Sequence, residues 1–322
     1  MSNKYKICIV IPYFGKWPEW INYFLLSCKY NITIDWQFFT DCGLAEVSSK
    51  NLTFHHTTLT EFNELASTQL NLEISIQNPY KLCDLKPAYG LIFQKYLINF
   101  DFWGYGDIDL IYGNIETFIT NQLLDTYDII SNNKDFVAGH FCILRNTLVI
   151  NQLFMKGGLY KKAFLESKYT GFDEQILDLK ISTNPRHLKL SKRINTVYHL
   201  GLNYIVKSPI KLIIRPIWIM LRNKDNHQLK DFTSIVSAMQ NNNKIKVHFS
   251  TTFQSDLMLL KRKIKKWQIR WDNGSLRNSQ TGNEILYFHF ILSKTSGKFR
   301  TEPFNNNTQN FYIQPSGIKT NT

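Results

Sequence analysis

The sequence predicts an α/β layer built on a largely parallel sheet, followed by a basic, more helical C-terminal part. Three observations lead there. Short apolar β-rich runs alternate with segments of helical periodicity up to about residue 180. The chain has 322 residues, 43% hydrophobic and 20% charged, enough to bury one large core with a smaller appendage. The charge is divided unevenly: residues 1–179 hold 14 basic and 19 acidic side chains, whereas 180–272 hold 19 and 4. Such asymmetry implies a division of labour between a catalytic or binding half and a half facing an anionic partner.

The elements follow in order. Tyr5 to Pro12 reads as a buried strand closed by Pro12 and Gly15. Trp17 to Tyr30 carries Trp17, Trp20, Ile21, Phe24, Leu25 and Cys28 at helical spacing. Ile34 to Thr40 is a second strand ending in the turn Asp41-Cys42-Gly43, and Leu52 to Thr57 a third. A helix is expected from about Leu59, with Thr60 as a candidate cap and Glu61 and Glu64 suited to its first turn. Pro87 to Phe100 places Tyr89, Ile92, Phe93, Tyr96, Leu97 and Phe100 on one helical face. Asp101 to Leu110 returns to a strand, Tyr127–Ser131 and Phe141–Arg145 add two more, and a helix is expected from Asp173 to about Ile181. There is no internal repeat.

Several classes are disfavoured. No run of about 18 apolar residues offers a membrane span. The apolar stretch near the start is too short for a signal peptide, so a protein kept in the cytoplasm is expected. Five scattered cysteines (Cys8, Cys28, Cys42, Cys83, Cys142) form no C-x-x-C pair and read as free, mostly buried thiols. The expected division is a core over 1–181, a basic part over 182–300, and a flexible tail over 301–322 rich in Asn and Thr.

The segment Phe102–Ile115 carries the chemistry. An Asp-x-Asp, Asp107 and Asp109, at the end of a buried strand with Gly104, Gly106 and Gly113 around it puts two carboxylates on one side. Two such groups can hold a hard divalent cation and leave positions for phosphate and water. The plainer reading is a pair of turn-capping aspartates.

Ile11–Gly15, Phe39–Asp41, Tyr80–Gly90 and Phe102–Asp109, with Gly139-His140, Phe172–Glu174 and Phe288–Phe290, resemble a nucleotide-sugar-dependent glycosyltransferase of the GT-A fold. More narrowly they resemble a glycosyltransferase-like family of bacterial surface-polysaccharide gene clusters. The resemblance covers about residues 5–180 and a stretch near 289. It implies a GT-A-like, Rossmann-related sheet flanked by helices, a nucleotide-sugar donor, a glycan acceptor, and Mn2+ or Mg2+ as cofactor.

It also implies roles. Pro12, Tyr13 and Asp41 would line the nucleoside pocket. Asp84 would accept from a ribose or sugar hydroxyl, or else cap the helix starting at Pro87. Lys86 would meet a phosphate or the Asp-x-Asp carboxylates. Asp107, Asp109 and His289 would hold the metal, although a histidine in a strand-like run such as Tyr287–Ile291 is also an ordinary structural residue. Lys294 would reach the diphosphate, on a downstream pattern that departs from the family's. Gly139 and His140 would border the acceptor. Asp173 or Glu174 would serve as general base in an inverting displacement or steady the donor sugar in a retaining one; both remain open, beside the plain role of acids at a helix start.

The basic part pairs Lys and Arg with Trp and Ile at Lys261–Trp271, and brackets the apolar Pro209–Leu221 with Lys207 and Arg222. An anionic membrane surface is the expected partner, with Ile217, Trp218 and Trp267 as anchors. A solvated surface is the alternative, and no nucleic-acid motif is present. The sequence therefore reads as a transferase on the cytoplasmic face of the inner membrane, acting on a lipid-linked glycan of capsule, O-antigen or lipooligosaccharide type. The competing reading is a non-catalytic glycan- or nucleotide-binding protein on the same fold.

Overall fold

The computed structural model describes residues 4–133, 136–174 and 231–320. The expected helix beyond Glu174, Lys207, Arg222 and Pro209–Leu221 with Ile217 and Trp218 lie outside the described residues.

Strand β1 (Ile7–Tyr13), helix α1 (Ile21–Lys29), β2 (Ile34–Thr40), β3 (Leu52–His56) and α2 (Leu59–Leu70) open the fold. Then come β4 (Phe102–Gly106), β5 (Leu110–Tyr112), β6 (Ile129–Ser131), β7 (Phe141–Arg145) and β8 (Val247–Phe249). The main sheet has seven strands in the order β3-β2-β1-β4-β7-β6-β8. β3, β2, β1 and β4 run parallel, β7 is antiparallel to both neighbours, and β6 and β8 are parallel. This is the mostly parallel sheet flanked by helices that the alternating pattern predicted. Both faces are covered: Ile7, Ile9 and Ile11 enter one apolar core, Cys8 and Val10 the other.

The remaining strands are β9 (Gln254–Ser255), β10 (Ile269–Asp272), β11 (Ser275–Asn278), β12 (Tyr287–His289), β13 (Arg300–Thr301), β14 (Asn310–Gln314) and β15 (Gly317–Thr320). A small sheet, β5-β12-β9, leans on the end of the main one, and β11-β10-β14-β15-β13 form a third sheet. Described residues from 231 onward thus contain eight strands beside two α-helices, Phe232–Asn241 and Asp256–Lys261, and a 3-10 turn, Ser293–Thr295, and are more β than the expected helical part. The expected flexible tail is corrected as well. Phe311 and Ile313 are buried against Trp271 and Ile269, so 310–320 gains a core and a ladder despite its polar composition.

Other differences are local. The helix α2 is capped by Thr58, not Thr60: the Thr58 hydroxyl accepts from Glu61 N–H while the Glu61 carboxylate accepts from Thr58 N–H. The continuous helix expected over Pro87–Phe100 is divided into a 3-10 stretch (Pro79–Ala88) and two α-turns (Tyr89–Ile92, Gln94–Leu97). Its apolar face survives, with Phe93 at the break, its ring 4.4 Å from that of Phe39. All five thiols are free, with Cys8, Cys28 and Cys142 buried.

Candidate active site

The site gathers at the carboxyl ends of β1, β2 and β4, where parallel strands leave backbone groups and loops open to a ligand. Gly104 is what lets β4 sit so close to its neighbours. A Cβ there would lie 2.6 Å from the Cys142 carbonyl and 2.6 Å from the Ile9 side chain. The Asp-x-Asp is not on a strand, as expected from sequence, but in the turn between β4 and β5. Three bonds hold that turn: Asp107 N–H donates to the His140 carbonyl (2.9 Å), the Trp20 indole donates to the Ile108 carbonyl (2.9 Å), and Phe290 N–H donates to the Asp109 carbonyl (3.3 Å).

His289 arrives from far along the chain. β12 pairs antiparallel with β5, placing His289 opposite Leu110 and therefore beside Asp109. Its Nε2 shares a hydrogen bond with Asp109 Oδ2 at 3.0 Å, and Lys294 Nζ lies 2.6 Å from the same oxygen. Burial alone would raise the Asp109 carboxyl, but the charges of His289 and Lys294 outweigh it and hold it well below the usual range. Conversely His289 and Lys294 are raised by Asp109 against the effect of burial. Lys86, also buried, donates from Nζ to Asp107 Oδ1 and to the Gly139 carbonyl (2.7 Å).

The donor atoms of Asp107, Asp109 and His289 all lie within 4.8 Å of one another. Two carboxylate oxygens and an imidazole nitrogen, three ligands in all, suit Mn2+ or Mg2+ and leave coordination positions free for phosphate or water. Lys86 and Lys294, now paired with these carboxylates, are placed to shift toward an anionic ligand. The residues fit the cation that the resemblance implied.

The other expected residues divide. Tyr13 ends β1 with its ring stacked on Trp17 at 5.2 Å. Burial pushes its phenol up, and Lys294 and Asp109 are among the charges acting on it. Asp41 accepts from Gly15 N–H at 2.7 Å, joining the loops that follow β1 and β2, next to Pro12. Asp173 and Glu174 sit across from Lys86. Glu174 Oε1 accepts from Gly139 N–H at 2.8 Å and lies 3.9 Å from His140 Nδ1. Burial works against its ionisation, yet His140, Gly139 N–H and Lys86 lower it below its ordinary value. Asp173 goes the other way, raised by burial and by the Glu174 charge. Burial and the neighbouring charges thus push the adjacent carboxyls in opposite directions, Asp173 up and Glu174 down. The His140 ring stacks on His289 at 4.8 Å, linking the two halves of the site.

Asp84 does not cap a helix; Asn78 is the cap of that 3-10 stretch. Fully buried, Asp84 pairs with Lys81 (2.7 Å) and accepts from Thr170 N–H, Thr170 Oγ1 and Phe172 N–H. It thereby fixes the segment that delivers Asp173 and Glu174. Trp267 is 7% exposed, packed 4.9 Å from Phe288, and is no surface anchor.

Sequence reasoning missed three contributors. Asp256, at the start of its helix, accepts from Leu292 N–H and Ser293 N–H and so positions Lys294. Tyr169 donates to Asp173 Oδ1 at 3.0 Å, and Tyr80 packs on Tyr169. The local sequence around Asp256 carries no signal of this role, which depends on a contact with residues 36 and 37 positions away.

Comparisons with known proteins complete the description. Among solved structures, the chain is similar to the galactosyltransferase LgtC in complex with donor and acceptor sugar analogues, at 11% identity over 50% of this chain and 66% of that one, TM-score 0.30. It thus spans just under two thirds of that protein's length. It is also similar to apo mouse xyloside xylosyltransferase 1 (9%, covering 89% and 98%, TM-score 0.35). A third is the apo glycosyltransferase GlyE of Streptococcus pneumoniae TIGR4 (9%, 79% and 68%, TM-score 0.31). These likenesses are too distant to assign a reaction. No curated protein matches. A family model described as a family of unknown function, DUF6625, matches residues 9–210. That is more than half of the chain, which therefore belongs to the DUF6625 family.

Proposed function

We propose that the chain is a metal-dependent glycosyltransferase that moves a sugar from a nucleoside diphosphate donor to a glycan acceptor. The observation supporting this is the convergence of Asp107, Asp109 and His289 beside Lys86 and Lys294 at the carboxyl ends of parallel strands. When bound, Mn2+ or Mg2+ supplies Lewis acidity that offsets the diphosphate's charge as it leaves. The chain's own residues do the rest. Lys294 and Lys86 can exchange their carboxylate partners for diphosphate oxygens. Tyr13, with Pro12 and Asp41, borders the nucleoside. Gly139 and His140 border the acceptor. Glu174, ionised and oriented by Gly139 N–H, takes the acceptor hydroxyl's proton in an inverting displacement; in a retaining one it steadies positive charge on the donor sugar.

The acceptor in this reading is a lipid-linked bacterial surface glycan, and the chain works at the cytoplasmic face of the inner membrane. Arg262, Lys263, Lys265 and Lys266 are all exposed, which supports attraction to anionic headgroups. Leu260 and Ile291 are exposed nearby, since Asp256 ties residues 292 and 293 to the helix carrying Leu260.

Calorimetry with UDP, GDP and CDP, each with and without Mn2+, tests the proposal, followed by a hydrolysis screen of the corresponding nucleotide sugars. Metal-dependent binding with slow donor hydrolysis is expected. Glycan binding with no affinity for any nucleotide would instead identify a non-catalytic binding protein.

A further inference from the structure

The geometry points to Tyr80 and Tyr169 as an aromatic platform that receives the acceptor's sugar ring. The inference rests on the transferase reading and names the side of the site on which the acceptor binds.

Tyr80 is 63% exposed. Its position is fixed from two directions. Its N–H donates to the Asn78 side chain at 3.0 Å, and its ring meets that of Tyr169 edge-on, with centroids 5.0 Å apart. Tyr169 in turn donates its hydroxyl to Asp173 Oδ1 at 3.0 Å. Platform and carboxyl pair are therefore one assembly, held at its base by Asp84, which accepts from Thr170 and Phe172 on either side. Asp173, which the platform holds, crowds Gly139, and the Gly139 carbonyl accepts from Lys86, so the platform adjoins the site.

A pyranose asks for this combination. One face of the ring is a patch of C–H groups, apolar and slightly positive, which sits well on the negative face of an aromatic ring. Its rim is hydroxyls, which need carboxylate or carbonyl acceptors. Tyr80 offers an open ring face, while Glu174 and the Gly139 backbone offer the polar edge. The aromatic pair on the nucleoside side, Tyr13 and Trp17, is stacked on itself at the end of β1. Tyr80 and Tyr169 lie instead beside Asp173 and Glu174, where an attacking hydroxyl would have to be delivered. The ligand class is a neutral hexose or N-acetylhexosamine at the end of the acceptor glycan.

Saturation-transfer NMR on the full chain tests this with methyl β-glycosides of glucose, galactose and N-acetylglucosamine. At least one should bind, with transfer concentrated on C–H protons of one ring face. Tyr80→Ala should weaken that binding about tenfold, whereas Tyr80→Trp, which keeps a ring face, should retain it. Because Tyr80 is exposed, both variants should unfold at the temperature of the unmutated chain, which thermal melts would check. Failure of all three glycosides to bind, or binding that Tyr80→Ala leaves unaltered, would overturn the platform. The transferase reading is reported separately by metal-dependent nucleoside diphosphate affinity of the unmutated chain. If that affinity is absent while Tyr80-dependent sugar binding persists, the platform stands and the transferase does not.

Discussion

Asp109 and His289 are 180 positions apart and share a hydrogen bond at 3.0 Å, with Lys294 on the same carboxylate oxygen. The pair makes Asp109 the most constrained ligand of the candidate cluster. Asp109→Asn keeps the shape but removes the charge that both cations face. Mn2+-dependent affinity for a nucleoside diphosphate should fall by more than about tenfold, as expected when a charged ligand is lost. Calorimetry on folded variant protein checks it; unaltered metal-dependent affinity would remove Asp109 from the site.

Gly139 separates the two halves of the site. A Cβ at this position would collide with Asp173 Oδ2 and lie 2.8 Å from Glu174 Cγ. Gly139→Ala should therefore displace the carboxyl pair and depress transfer by about a hundredfold, in the range of losing an aligned acid–base group. A rate comparison at saturating donor measures this, and near-normal turnover would show that the pair is not catalytic.

Asp84 carries a stability prediction. Lys81 is 1% exposed, and Asp84 is its carboxylate partner at 2.7 Å. Asp84→Asn strands a buried ammonium and should cost about 3–5 kcal/mol. Urea denaturation would read it. The double variant Lys81→Met with Asp84→Asn should recover part of the loss, because the uncompensated charge is gone.

The C-terminal strand should lose protection as pH falls. The Glu302 carboxylate accepts from Thr320 N–H (2.7 Å) and Thr320 Oγ1 (2.9 Å). The backbone bond from Thr320 first, then its hydroxyl, hold Glu302 below the usual carboxylate range. A depressed carboxyl contributes above its unfolded value, and the contribution is lost as pH falls through the lower folded value. Amide-exchange protection at Thr320 should thus drop in mild acid more than at Phe311, and Glu302→Gln should abolish the difference.

Flotation tests the proposed membrane contact. Recovery with anionic vesicles should fall as salt rises, because the exposed charges are screened over about 10 Å at 0.1 M. Reversing Arg262, Lys263, Lys265 and Lys266 to Glu should abolish recovery. Equal recovery with neutral vesicles would deny this stretch a membrane role.

Much of the architecture was legible because it is local. β1 and β7 are short runs apolar on both faces, β2 and β3 are β-rich runs with polar residues on one, and Gly15 and Gly43 follow β1 and β2. The site was legible where ligands are adjacent, as in Asp107-Ile108-Asp109. It was not legible where long-range pairing decides. Nothing near Asp256 announces that it anchors residues 292 and 293, and Asp84 looks like a ligand until Lys81 and Thr170 surround it. The tail misled for a related reason: Phe311 and Ile313 are two apolar positions among many polar ones, yet ladder pairing with β10 suffices to bury them.

The pairing of β5 with β12 also sets a clock. Until residue 289 has left the ribosome, the turn bearing Asp107 and Asp109 has no His289, and Asp109 has no Lys294. At 5–20 residues per second, the 180 intervening positions take on the order of 10–40 s to synthesise. Through that interval the nascent chain carries an incomplete Asp107-Asp109-His289 cluster, so under the proposed function binding of a cation and a nucleotide sugar would come only with the finished protein. Closing so long a loop is also entropically expensive and slow. Assembly of the small three-stranded sheet is therefore the step that completes the candidate site.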